Sequence, residues 1–116
     1  MFTFHKINDQ TIAELTDKTF IINEVQDALD LMVDLGSQGC DRMIIHERNL
    51  NRGFFDLKTR LAGEILQKFS NYNVRLAIIG DFSKYESLSL RDFIRESNRG
   101  NMIYLAEDLQ SAFLRL

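Results

Sequence analysis

Two hydrophobic periods alternate along this chain. Phe2 to Ile7, Thr11 to Leu15, Phe20 to Ile22, Met43 to Ile45, Val74 to Ile79 and Met102 to Leu105 are short runs rich in β-branched and aromatic residues, the signature of strands. Asn8-Asp9-Gln10 is a turn cluster between the first two, so the chain should open with a hairpin whose inward residues include Phe2, Phe4 and Ile12. Asn23, with Gln26 three positions on, reads as a capping box. Val25, Ala28, Leu29, Met32 and Val33 then recur on one helical face until Gly36 or Gly39 ends the helix, which leaves Leu31 and Leu35 off that face. From Asp56 the series Leu57, Leu61, Ala62, Ile65, Leu66 and Phe69 predicts a helix to about Ser70. Val74 to Ile79 is apolar except for Arg75, as in an interior strand covered on both faces. Ser87 or Ser89 should cap a helix that buries Leu90, Phe93 and Ile94 and breaks at Asn98-Arg99-Gly100-Asn101. Asp108 caps a closing helix with Leu109, Ala112, Phe113 and Leu116 on its apolar face.

A hairpin followed by four alternations of strand and helix implies right-handed crossovers onto a mostly parallel sheet with an antiparallel N-terminal edge. No proline, repeat or low-complexity stretch suggests a linker, so residues 1–116 read as a single layered α/β domain. Composition agrees: 45% apolar and 27% charged residues are ordinary for a globular protein with one core. The formal charge of −3 gives no general pull toward nucleic acid, whose phosphates demand Lys and Arg. No apolar run reaches the roughly 20 residues of a membrane helix, and Met-Phe-Thr-Phe-His-Lys lacks a leader pattern, so a cytoplasmic protein is expected. The one cysteine, Cys40, fits a reducing compartment and reads as a small buried residue.

The run from Arg42 to Phe69 joins a strand, a polar loop and a helix, and strand exits of this kind are where α/β proteins gather working groups. The carboxyl ends of parallel strands would share one rim, bringing Asn23 and Glu24 near His46, Glu47, Arg48 and Asn49, then Asp81 and Ser83, then Glu107 and Asp108. His46, Glu47, Arg48, Asp81 and Ser83 are the candidate ligand-binding set. Carboxylates there could hold a cation, but Asn23 and Asp108 are more simply helix caps, so neither a metal nor a cofactor is expected. His46 beside Glu47 suggests an oriented base, yet neighbours on a strand point to opposite faces, and no nucleophile motif accompanies them. Arg91, Arg95 and Arg99 interleave with Asp92 and Glu96, as on a solvated helix face.

In the order of its elements the chain resembles the small bacterial STAS-like, or SpoIIAA-like, α/β domains, and among them a branch of unknown function. Met43-Ile44-Ile45-His46, leading through a loop to Asp56-Leu57-Lys58-Thr59 and Leu61-Ala62-Gly63, lies where anti-sigma-factor antagonists carry an Asp-Ser-Ser-Gly-like motif. Leu57 or Lys58 stands at the serine position, so the phosphorylation switch of those proteins is not carried over. What the resemblance implies is a regulatory or interaction domain using Phe54, Phe55, Asp56, Lys58 and Thr59. The first reading is therefore a noncatalytic module that meets a protein partner or a second copy through this loop, with Leu31 and Leu35 available for pairing. The second is a small-molecule or ion site on the rim, and a His46-dependent enzyme comes last. A pocket in which Arg48 and Asp81 converge would favour a ligand. A flat apolar patch around Phe54 or Phe55 would favour a partner.

Overall fold

The computed structural model describes residues 1–116 as a five-stranded sheet with four helices. Strands β1 (Phe2–Ile7), β2 (Gln10–Leu15), β3 (Arg42–His46), β4 (Arg75–Ile79) and β5 (Ile103–Ala106) lie side by side in chain order. β1 and β2 are antiparallel, and every later neighbour is parallel. The hairpin turn places Asn8 and Asp9 at φ 50° and 65°, the left-handed pair a two-residue turn needs to match the strand twist.

Because the parallel strands follow one another in order, each right-handed crossover returns on the same face. Helices α1 (Val25–Gly36), α2 (Leu61–Asn71) and α3 (Leu88–Arg99) pack there against Ala13, Leu15, Met43, Ile45, Leu76 and Ile78. Only α4 (Leu109–Arg115) covers the opposite face, where Ala112 meets Ile12, Ile44, Ala77 and Ala106. β4 alternates Leu76 and Ile78 toward the first face with Ala77 toward the second, as expected of an interior strand. Two arginines paired across β3 and β4, Arg42 and Arg75, tie α4 down: Arg42 Nε donates to the Leu116 carbonyl at 2.8 Å and Arg75 Nη2 to that of Arg115 at 2.7 Å.

Several elements differ from the sequence reading. Phe20 to Ile22 is not a strand; only Ile22 bridges, to Leu50 in the loop after β3. The segment is too short to build a ladder, and its hydrogen bonds go to Asn49 and Asn51. The first helix begins at Val25, because the Asp27 carboxylate accepts from the N–H groups of Asn23 and Glu24 while Gln26 turns to Asp30. Its buried stripe is Ala28, Leu31, Met32 and Leu35, whereas Val33 is 72% exposed. Leu31 and Leu35 are thus core residues and do not form a pairing surface. The second helix starts at Leu61: a 3₁₀ turn, Leu57–Thr59, and left-handed Arg60 at φ 65° separate it from Asp56. Phe4, expected to point inward, is exposed on the edge strand. Caps at Ser87 and Asp108 are as expected, and Arg95 and Arg99 pair with Asp92 and Glu96 on their own helix.

Candidate functional site

The carboxyl ends of β3 and β4 are in register, His46 opposite Ile79, and the loops leaving them part to form a cleft of about 730 Å³. One side is the β3 exit, where the 3₁₀ turns Glu47–Asn49 and Arg52–Phe55 flank Leu50 and Asn51. The other is Lys84-Tyr85 after β4, and Ile21 also lines the cleft. Asn49 sets the shape of the first loop. Fully buried, it accepts from the His46 N–H at 3.0 Å and donates to the carbonyls of Asp17 and Phe20 at 3.0 and 2.9 Å, which binds the loop to the segment before α1. Asn51 accepts from the Gly53 N–H and donates to the Asn23 side chain. Gly80 opens the second loop: a Cβ there would stand 2.8 Å from Glu47 Cβ, so only glycine lets Glu47 cross the end of β4.

Glu47 makes that crossing to reach Tyr85, whose phenol donates to Oε2 at 2.5 Å, and Lys84 Nζ lies 2.6 Å from the same oxygen. Burial pushes the Tyr85 phenol well above its ordinary range, and the hydrogen bond to Glu47 adds to the shift. The group is therefore a fixed donor rather than a base. Phe55 stacks on Tyr85 at 5.0 Å between ring centroids and an angle of 17°, backed by Phe54 at 5.0 Å and Phe82 at 5.9 Å. The charge of Glu47 is answered by Lys84. No carboxylate of the chain comes within ion-pair distance of Arg48 or Arg52, so the cleft carries an excess of positive charge although the chain is acidic.

Of the ligand set read from sequence, Glu47 and Arg48 meet in this cleft, joined by Arg52. His46 does not. Its ring faces the α4 side, where its Nε2 lies 2.7 Å from Glu14 Oε2 while His5 Nε2 lies 2.9 Å from Oε1. One carboxylate thus occupies both imidazoles, and the His5 ring packs 5.0 Å from that of Phe113. Asp81 and Ser83 bond one another outside the cleft; the Ser83 hydroxyl and N–H hold the Asp81 carboxyl below its usual range. Arg48 and Asp81 therefore do not converge. No three ligating side chains gather on the rim as a metal site would require.

The loop set is dispersed too. Phe54 is 1% exposed and lies in the core, so it is not an outward contact; Phe55 is half-buried and lines the cleft. Asp56 Oδ1 accepts from the Lys58 N–H, and the Thr59 hydroxyl lies 2.6 and 2.8 Å from the carbonyls of Gly53 and Asp56. These groups shape the entry to α2. Sequence reasoning did not single out Glu14, Ile21, Lys84 or Tyr85 as site residues. A carboxylate inside Ile12-Ala13-Glu14-Leu15 was a signal, since buried strands exclude charge unless it is paired. Tyr85 carried none.

Fold and site together define a small mixed-sheet α/β domain with a cationic, aromatic-walled cleft at its strand ends. Residues 7–116 match a family described as a domain of unknown function, DUF4180, and the chain belongs to it. No curated protein and no solved structure matches the chain. No helix is long and apolar enough to cross a membrane.

Proposed function

We propose that this domain is a noncatalytic binding module that takes a small anionic ligand in the cleft between the β3 and β4 exits. One observation carries the reading: Arg48 and Arg52 stand beside the Glu47-Lys84-Tyr85 cluster with no carboxylate of their own. Guanidinium groups without internal partners offer planar donors to a carboxylate or phosphate. A volume near 730 Å³ lies within the about 300–1,000 Å³ usual for ligand pockets. The cleft opens outside the carboxyl ends of two neighbouring parallel strands. The cleft draws the reading away from a flat protein-docking loop, since Phe54, Asp56 and Thr59 serve internal structure. A regulatory role of the STAS-like kind is the finer form of this proposal: the two loops would report occupancy to a partner.

The test is thermal unfolding across a panel of organic carboxylates and phosphates, with Arg48→Gln and Arg52→Gln in parallel. Both arginines are exposed, so the variants should unfold within about 0.5 kcal/mol of the parent when no ligand is present. A ligand at about 100 times its Kd should stabilise the parent by about 2.7 kcal/mol. Each arginine variant should lose most of that gain. Equal stabilisation of parent and variants would place the anion elsewhere and refute the cleft.

A further inference from the structure

We infer that the ligand has two parts, an oxyanion head held by Arg48 and Arg52 and a flat, unsaturated body laid against Phe55, Tyr85 and Ile21. This deepens the binding reading above and rests on it. An inorganic anion would engage the two guanidinium groups but would leave most of the 730 Å³ cleft and its apolar wall to water. That wall is rigid. Phe55 packs against Phe54 and Phe82, and the near-parallel ring of Tyr85 lies over its face with its hydroxyl held by Glu47. Because Phe55 and Tyr85 turn faces on each other, the stack offers ring edges to the cleft, and an aromatic edge meets the face of an unsaturated ring favourably.

Across the cleft Ile21 is 38% exposed, while its neighbour Ile22 is fully buried and makes the bridge to Leu50. The core does not need the Ile21 side chain. It lines the same cleft as Phe55 and Tyr85. The third cation, Lys84, is committed to Glu47 and lies 5.4 Å from the Tyr85 ring centre, so it adds positive field without being free to clasp a second anion. The chemistry common to a carboxylate or a phosphate head is the same here: a delocalised oxyanion on a conjugated ring.

Isothermal titration of the full chain with phenyl phosphate, inorganic phosphate, benzoate and acetate separates the parts. The expected result is that phenyl phosphate binds at least tenfold tighter than inorganic phosphate, or benzoate at least tenfold tighter than acetate. Whichever pair responds tells the two kinds of head apart. Ile21→Ser, at an exposed position, should leave the fold intact and reduce the ring-bearing probe's advantage several-fold while leaving the inorganic anion unchanged. If ring-bearing and ring-free anions bind alike, and Arg48→Gln weakens both, the two-part ligand is overturned and the anionic cleft stands. If no anion binds in an arginine-dependent way, both readings fall.

Discussion

Glu14 shows how much a single residue depends on partners that are remote in sequence. It sits in a strand with its side chain almost wholly enclosed, a placement that raises a carboxyl pKa, yet hydrogen bonds from His46 and His5 and their charge outweigh burial and leave it below the ordinary 4.5. A depressed carboxyl pKa contributes stability above the unfolded value, and that contribution is lost as pH falls through the folded one. Glu14→Gln should therefore cost about 1.5–3 kcal/mol at pH 7, the range for a hydrogen bond to a charged group. Urea unfolding should show the gap between the two proteins narrowing as pH falls below about 4.5; a gap that stays constant would mean the carboxylate charge is not what matters. His46 was legible as unusual from its place at a strand end. Its partner was not, because Glu14 is 32 residues away and only the parallel pairing of β2 with β3 brings them together.

At the scale of elements, periodicity located α1 but left its rotation open. The set Val25, Ala28, Leu29, Met32 and Val33 and the set Ala28, Leu31, Met32 and Leu35 both have helical spacing and share two members. Which one faces inward depends on where the sheet lies, and the sequence pattern does not encode that. The structure makes the choice measurable. Leu35→Ala should cost about 2–5 kcal/mol as a core truncation, and Val33→Ala less than about 0.5 kcal/mol, by chemical denaturation. The reverse order would mean the helix is turned. Likewise the four-residue step from Leu57 to Leu61 imitates helical period across a left-handed break at Arg60, because spacing is blind to φ. Short polar side chains made that break: Asp56 and Thr59 bond to nearby backbone, as such residues do in competition with helix.

The whole molecule is lopsided, with three helices on one face of the sheet and a single short one on the other. α4 depends on Arg42 and Arg75 at the opposite end of the strands from the cleft. The double variant Arg42→Ala/Arg75→Ala should lose about 1–3 kcal/mol, speed amide exchange in α4 and increase binding of a hydrophobic dye as Ile12, Ile44 and Ala77 become accessible. Unchanged exchange in α4 would show that its apolar face and the contacts of Arg115 with Asn98, Gly100 and Tyr104 suffice to hold it. The kind of fold, the order of its helices and of every strand except the one expected at Phe20–Ile22, and the strand exit that carries the cleft were all legible in the sequence, because they follow from local hydrophobic period and turn chemistry. That His46 turns to Glu14, that Glu47 passes Gly80 to reach Tyr85, and that Arg48 and Arg52 are left without carboxylates came only with the folded chain. The reason is physical: such pairings depend on which strands become neighbours and which face each side chain meets, and both are settled only when the sheet closes on its core.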